Sequence, residues 1–347
     1  MNDSGNRKPA GPFTQTPLRT PSQPSRFLSG SATTPATTTG TTPRVAPAIR
    51  PAEANGAGSA ARAKIYENLQ KIEPGSREFA FTSQDFERVR ALIHAHAGIS
   101  LSPIKQDMVY SRLARRLRAC GEARFSDYLD KLETNRNSRE WEAFVNALTT
   151  NLTFFFRESH HFDVLRDFLR KASDGKRTFN IWCSAASSGE EAYSIAIAAC
   201  EAFGSLNPPV KIIASDLDTQ VLAHGERGVY GSDRTDRLSP DRLDKYFTRE
   251  PGVAGQWRVR SELRRLLTFR QLNLLERDWH LSGPFDAIFC RNVMIYFDKP
   301  TQHGILKRFV PLLRHDGLLF AGHSENFMHA AELFRSLGRT VYARADA

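Results

Sequence analysis

The sequence predicts a doubly wound α/β fold with helices on both faces of a mostly parallel sheet, a small β subdomain inserted in it, and an all-helical segment in front. Three observations predict it. From about residue 178 onward, short β-branched or aromatic runs alternate with runs of helical length, the pattern of successive βαβ units. The first of these runs ends in small residues and one glycine ahead of a helix, the turn through which such sheets present backbone to a ligand. Residues 76–150 lack period-two alternation and repeat their apolar residues at helical spacing instead.

The chain has 347 residues, enough for two domains and a substantial core. Residues 1–62 carry nine of the 18 prolines and a threonine-rich patch, Thr33 to Thr42. So little apolar surface cannot offset the entropy of ordering the chain, so 1–75 is expected to be a disordered Pro/Thr-rich tail. A short helix over Ala60 to Ile72, before Pro74-Gly75, is the one element expected within it. Residues 1–63 hold 7 Lys/Arg against 2 Asp/Glu, half of the net charge of +10. The rest is only modestly basic, which hints at acidic partners without calling for nucleic acid. The four cysteines form no metal-like pair and read as reduced core thiols, and no metal site is expected. No apolar run reaches membrane-spanning length and no signal-peptide core is present, so a soluble cytoplasmic protein is expected.

In the helical segment, 76–150, Thr82 or Ser83 can cap a helix with Phe86, Val89, Leu92 and Ile93 on one face, ended by Gly98. Ser102-Pro103 opens a second helix, with proline at its first position. Val109, Leu113 and Leu117 line one side of that helix. Arg112, Arg115, Arg116 and Arg118 spread over the rest, with Lys105 before them and almost no acid from Met108 to Ala119. Two readings stand side by side: a solvated face, or a docking surface for an acidic partner. Ser126 to Leu132 and Arg139 to Leu148 continue the helices.

The α/β segment spans 151–347. It opens on Asn151-Leu152-Thr153-Phe154-Phe155-Phe156-Arg157. A buried linker packing the helices onto the sheet accounts for the aromatics but not for Asn151, Thr153 and Arg157; Arg157 could neutralise a carboxylate. Thr178 to Cys183 reads as the first strand and Ala192 to Ala202 as its helix. Between them stand Glu190 and Glu191. Acidic residues favour a helix N-terminus in any protein, but two carboxylates there also repel a pyrophosphate and suit a ligand with hydroxyls, an amine and a positive charge, as S-adenosylmethionine has. Val210 to Ala214 is the second strand, ending in Ser215-Asp216-Leu217-Asp218. An acid at this strand end can hold ribose hydroxyls or cap the next helix; Asp216 is assigned the first role and Asp218 the second. Leu267 to Gln271, Phe285 to Cys290, Leu318 to Ala321 and Thr340 to Ala343 are further strands, with a helix over Thr301 to Leu313. The insert, 228–262, contains one strand candidate, Gln256 to Val259, and a Gly-rich loop, Gly252 to Gly255. Glu191, Asp216, Asn273, Arg291 and Asn292 all fall at strand C-terminal ends, where open α/β sheets bind ligands.

These residues resemble the chemotaxis receptor methyltransferase family, CheR, over about 80–345. The carriers are Asn151-Leu152-Thr153 with Phe155-Phe156-Arg157, Ser187 to Ser194, Ala214 to Asp218, Asn273-Leu274-Leu275, and the long runs Phe285 to Asp298 and Phe320 to Phe327. Ser188 and Ala192 depart from the commoner threonine and proline. The resemblance implies a Rossmann-like S-adenosylmethionine-dependent methyltransferase sheet. It implies methyl transfer to glutamate side chains of methyl-accepting chemotaxis receptors, leaving S-adenosylhomocysteine. It implies that Asn151, Thr153, Arg157, Glu191, Asp216, Asn273, Leu274, Arg291 and Asn292 line the cofactor site and that Tyr296 sits near the transferred methyl. Arg157 and Tyr296 are the candidates for orienting the substrate carboxylate. Recruitment to membrane receptor arrays, a receptor C-terminal peptide held by the insert, and a monomeric state are further expectations. The rivals are a nucleic-acid methyltransferase, against which the absence of prolines after Asn292 weighs, and a non-catalytic adaptor.

Overall fold

A computed structural model describes residues 77–347 except 137, 174 and 176. The tail expected over 1–75 and the helix expected at Ala60 to Ile72 lie outside the described residues. Helix α1, Ser83–Ala97, starts at a reciprocal cap. The Thr82 hydroxyl accepts from the Asp85 amide at 3.1 Å, and the Asp85 carboxylate accepts from the Thr82 amide at 2.9 Å. The helix buries Phe86, Val89, Ile93 and Ala97, and ends at Gly98 in the left-handed region, φ 67°. The helix predicted to open at Ser102-Pro103 begins three residues later. Pro103–Lys105 form a separate 3-10 turn, because Lys105 sits at φ −89°, ψ 8°, outside α-helical geometry. Then follow α2 (Gln106–Cys120), α3 (Phe125–Thr134) and α4 (Glu140–Leu148). Their buried faces meet in one core built on Val89, Leu113, Phe125, Tyr128, Trp141 and Phe144.

Helix α5, His160–Ala172, leads into the sheet, whose strands and helices run β1 (Phe179–Cys183), α6 (Glu190–Phe203), β2 (Val210–Asp216) and α7 (Thr219–Arg227). The insert follows as β3 (Val229–Gly231), α8 (Ser232–Thr235), α9 (Pro240–Tyr246), β4 (Phe247–Arg249), β5 (Gln256–Val259) and α10 (Ser261–Arg264). The chain then returns to the main sheet through β6 (Leu267–Gln271), β7 (Phe285–Cys290), α11 (Lys299–Phe309), β8 (Leu313–Ala321) and the hairpin β9 (Phe334–Gly338) and β10 (Val341–Arg344). The seven-stranded order is β6-β2-β1-β7-β8-β10-β9, all strands running in one direction except β10, which is antiparallel to both its neighbours; the insert forms its own antiparallel sheet, β3-β5-β4.

Strand β1 pairs with β2 on one side and β7 on the other, so the winding reverses between β1 and β7. Such a reversal splays the loops apart and leaves a crevice beyond the strand ends. Both faces of the sheet are covered, which is why residues 181–183 of β1 and 287–290 of β7 are wholly apolar. On one face Ile181, Ala287 and Phe289 pack under α5 and α6. On the other, Trp182, Ile288 and Leu319 pack with Trp279 and α11.

Three details differ from the sequence reading. The helix expected to run to Leu313 stops at Phe309 and passes through a 3-10 turn containing Pro311, which has no amide hydrogen to extend an α-helix. Strand β8 therefore starts at Leu313, five residues before the predicted Leu318. Strand β9 was not predicted, since only Phe334 of its five residues is buried and the strand carries no alternation. The insert holds three strands where one was expected, the other two being three residues each.

Candidate active site

A cavity of about 430 Å³ opens beyond the C-terminal ends of β1, β2, β6 and β7. Asn151, Thr153 and Arg157 enter it from the linker, and Glu191 from the first turn of α6. Asp216, Asn273 and Leu274 enter from the ends of β2 and β6, and Arg291, Asn292 and Tyr296 from the end of β7. All ten residues singled out from the sequence thus share one wall. The helical segment adds Ala97, Ile99, Val145 and Asn146, so part of the cavity is formed by α1 and α4.

Glu190 and Glu191 point apart, as consecutive helical residues must. Glu191 faces the cavity, with one oxygen 2.9 Å from the Arg291 guanidinium and the other accepting from the Cys183 thiol at 3.5 Å. Burial pushes its carboxyl above the usual range, and Arg291 opposes that push. Glu190 turns to Ser188 at 2.7 Å and Arg234 at 2.8 Å, and so ties α8 of the insert to the sheet. Asp216 accepts from the backbone amides of Ser187 (2.8 Å) and Asp218 (3.1 Å). Burial pushes its carboxyl up while those amides pull it down. Asp218 caps α7, accepting from the amides of Gln220 and Val221 and from the Asn151 side chain at 3.0 Å.

The remaining wall residues are held by neighbours from several segments. Arg157 donates to the Leu152 carbonyl at 2.8 Å, closing its own loop. The Asn273 amide donates to the His96 carbonyl of α1 at 3.2 Å, and its oxygen accepts from the Leu275 amide. Leu274 is buried, with its carbonyl taken by Trp279 and Arg308. The Tyr296 hydroxyl accepts from the Thr150 amide at 3.2 Å and donates to the Thr150 carbonyl at 3.3 Å, joining the β7 loop to the linker. Asn292 adopts a left-handed backbone, φ 57°. The Phe triplet packs on the insert and α5 rather than between helices and sheet. Phe155 lies edge-on to Tyr230 and Phe247, Phe156 to Phe162, and Arg237 stacks on Phe154.

The family models match two consecutive stretches. Residues 84–149 match the CheR methyltransferase all-alpha domain and 151–343 the CheR methyltransferase SAM (S-adenosylmethionine) binding domain. Chemotaxis protein methyltransferase 2 of Pseudomonas aeruginosa is 53% identical over 272 residues, covering 78% of this chain and 96% of that protein. The chemotaxis protein methyltransferases of Salmonella typhimurium and Escherichia coli are 52% and 50% identical over 269 residues each, covering 77% of this chain and 92% and 93% of theirs. The chain belongs to the CheR methyltransferase family.

The CheR cavity fits the family's ligand on its own evidence. The Ser187 hydroxyl is buried in the wall beside Asp216 without a hydrogen-bond partner, in a left-handed backbone at φ 47°. An orphaned polar group next to a carboxylate suits a ligand bearing hydroxyls. Sequence reasoning passed over two other acids of the CheR site. Glu325 is buried and accepts from the amides of Asn292 (2.9 Å), Ile295 (3.3 Å) and Gly322, shaping the loop that carries Asn292 and Tyr296. Glu158 pairs with Arg291 at 3.2 Å. Each was visible as an acid inside a motif already quoted or directly beside it.

The basic helix α2 is only in part a free face. Arg112 donates to the carbonyls of Ala147 (3.3 Å) and Thr149 (2.7 Å) and to the Thr150 hydroxyl, clamping the end of α4 and the linker. Arg116 forms a two-pronged pair with Glu140, at 2.9 and 2.7 Å. Both are used inside the fold because their Cβ positions border the face that packs on α4, which corrects the reading of four arginines presented together. Arg115 and Arg118 are exposed, Arg118 beside an exposed Glu78.

Asp216→Asn should weaken binding of S-adenosylhomocysteine by about 1–3 kcal/mol, the usual loss on removing a charged hydrogen-bond partner. Calorimetric titration checks this, and wild-type affinity in the folded variant would remove Asp216 from the ligand's contacts.

Proposed function

We propose that this chain transfers a methyl group from S-adenosylmethionine to glutamate side-chain carboxylates of chemoreceptors, forming glutamate methyl esters for sensory adaptation. It is then a protein-glutamate O-methyltransferase. The observation that carries the reading is the convergence of ten wall residues, from five separate chain segments, on one cavity in a CheR chain. S-adenosylmethionine supplies a methyl group on a cationic sulfur, which a carboxylate oxygen can displace.

The chain's part is to align and to exclude water. A glutamate with its ordinary pKa of about 4.3 is already a nucleophile at neutral pH, so no general base is called for. Orientation of two reactants can contribute roughly 7–11 kcal/mol to such a step. Arg157 is assigned the substrate carboxylate, whose geometry a guanidinium matches. Tyr296, fastened by Thr150, fixes the wall beside it. Asn151, Thr153, Glu191, Asp216, Asn273, Leu274, Arg291 and Asn292 are assigned to the cofactor, and Arg157 lines that site as well. The test uses tritiated S-adenosylmethionine and a cytoplasmic receptor fragment. Label that is released as methanol by base marks an ester; no incorporation under any receptor would sink the proposal.

For partners, we assign the helical segment to docking the receptor's acidic methylated helices, and the α/β segment to the cofactor. With Arg112 and Arg116 occupied inside the fold, the exposed Arg115 and Arg118, the latter in a surface ion pair with Glu78 that a receptor carboxylate would replace, remain to meet the receptor. The encounter depends on charge screened over roughly 10 Å. Arg115→Glu with Arg118→Glu should raise the receptor KM about threefold or more at low salt and leave S-adenosylhomocysteine binding unchanged. An unchanged KM returns this face to solvent. The enzyme is taken as a monomer working in the cytoplasm and recruited to receptor arrays; among the described residues no helix is long and apolar enough to cross a membrane.

The insert is assigned to a receptor C-terminal peptide. Strands β3 and β4 are both edges of its sheet, and Thr248 and Arg249 on β4 are exposed. An edge of this kind accepts an extended peptide by strand addition. Binding in the micromolar range would suffice, since tethering brings the receptor to about millimolar local concentration. Trp257, under the Arg249 guanidinium at 3.8 Å, reports on β5. Fluorescence titration with C-terminal peptides of the organism's receptors should saturate, and a flat response to all of them would leave the insert without this role.

A further inference from the structure

We infer that Glu158 sets the net charge of the cofactor wall and thereby makes the site discriminate the cationic methyl donor from its neutral thioether product. The inference rests on the cofactor reading above.

Glu158 is not itself in the cavity wall but stands directly behind it. The residue follows Arg157 with a left-handed backbone, φ 56°, which swings its side chain away from the face Arg157 presents. Its carboxylate lies 3.2 Å from Arg291 and 4.0 Å from Arg157, and accepts from the His323 backbone amide at 3.2 Å. The His323 ring nitrogen is 2.9 Å away and the Asn292 amide 3.5 Å. Arg291 also donates to the Arg157 carbonyl. The buried guanidinium of Arg291 is thus shared between two carboxylates, Glu191 in the wall and Glu158 behind it.

Sharing changes the charge that a ligand meets. Lys105, Arg157 and Arg291 are the cations of this wall and Glu191, Asp216 and Asp218 its anions, with Glu158 a fourth anion directly behind it. His161, 3.7 Å from Glu158, adds no charge, because burial foremost, with Arg291, holds its pKa at about 4. Burial by itself would raise the Glu158 carboxyl, but Arg291 and the His323 hydrogen bonds outweigh it and hold it at about 2, fully ionised at neutral pH. The balance is one net negative charge. Without Glu158 it is zero, and Arg291 is left to neutralise Glu191 alone.

The two ligands that visit this cavity have nearly the same shape and differ by one methyl group and one positive charge. Methyl transfer breaks the carbon–sulfur bond, leaves its electron pair on sulfur, and forms a carbon–oxygen bond to the receptor carboxylate, so the ligand's extra charge disappears. A negative wall stabilises the sulfonium more than the thioether, so Glu158 lowers the donor's Kd relative to the product's. If Glu158 merely braced Arg291 and Asn292, its loss would weaken both ligands alike.

The test is calorimetric titration of wild type, Glu158→Gln and Glu158→Asp with S-adenosylmethionine and S-adenosylhomocysteine. In Glu158→Gln, the ratio of the donor's Kd to the product's should rise about fivefold or more, the effect of one charge in a site of intermediate permittivity. Glu158→Asp, which keeps the charge, should restore the ratio to near wild type. Equal weakening of both ligands, or none, overturns the inference. His323→Arg provides a variant at an exposed position that places a fixed positive charge against Glu158. It should move the ratio in the same direction and serves where Glu158→Gln does not fold; an unmoved ratio there also overturns the inference. If the wild-type protein binds neither ligand, the cofactor reading fails and takes this inference with it. If wild type binds both and only the ratio refuses to move, this inference alone fails.

Discussion

A guanidinium removed from water is stable only where anions and acceptors surround it, and Arg291 is fully buried. It finds Glu191 from the start of α6, Glu158 from the linker and the Arg157 carbonyl, while its own position is fixed by the end of β7. Three stretches far apart in sequence are thereby drawn to one point. Removing one carboxylate leaves the guanidinium paired with the other; removing both would strand a buried charge, a loss of about 3–5 kcal/mol in comparable sites. This arrangement holds the part of the cavity wall where Arg157, Glu191 and Arg291 meet.

Around that point the same device recurs with backbone amides in place of guanidinium. Asp216 gathers the amides of Ser187 and Asp218, and Glu325 those of Gly322, Asn292 and Ile295. Asp218 caps α7 and reaches back to Asn151. Loops at strand ends carry unpaired amides, and a buried carboxylate can satisfy two or three at once. The loops stay open toward a ligand yet keep one shape, which is what alignment of two reactants requires. The helical segment completes the enclosure. The Asn273 side chain bonds the His96 carbonyl, the Ser100 amide bonds the Tyr296 carbonyl at 2.7 Å, and Ile99 bridges to Phe297.

Much of this was legible in the residues. The alternation of strands and helices located β1, β2, β6 and β7 to within two residues; β1, β2 and β7 carry apolar runs because both their faces are covered, whereas the edge strand β6 is marked only by its place between the insert and the Asn273 loop. Of the ten wall residues, five are legible from their place at strand ends and the rest from long motifs shared with the family. Glu158 was passed over because its role depends on a left-handed backbone that turns it behind Arg157, and nothing local announces that. Strand β9 and the three-residue strands of the insert carry too little apolar pattern to be seen. The stop of α11 at Phe309 was legible in Pro311, and its weight was underestimated.

The sequence by itself determined the fold class, the order of the elements and the identity of the residues that come to the cavity. The fold class and element order follow from apolar period and turn residues, and Glu191, Asp216, Asn273, Arg291 and Asn292 from their place at strand ends; Asn151, Thr153, Leu274 and Tyr296 follow only from the resemblance to the family's motifs. Only the tertiary structure decided which charges are spent inside. Arg112 and Arg116 look on a helical wheel like Arg115 and Arg118, yet two clamp α4 and the linker while two face solvent. Glu190 and Glu191 are neighbours of one type, yet one fastens the insert and the other faces the cavity. The reason is physical: a charge is used by whatever acceptors or opposite charges lie within about 4 Å, and those partners come from elements 24 to 100 residues away.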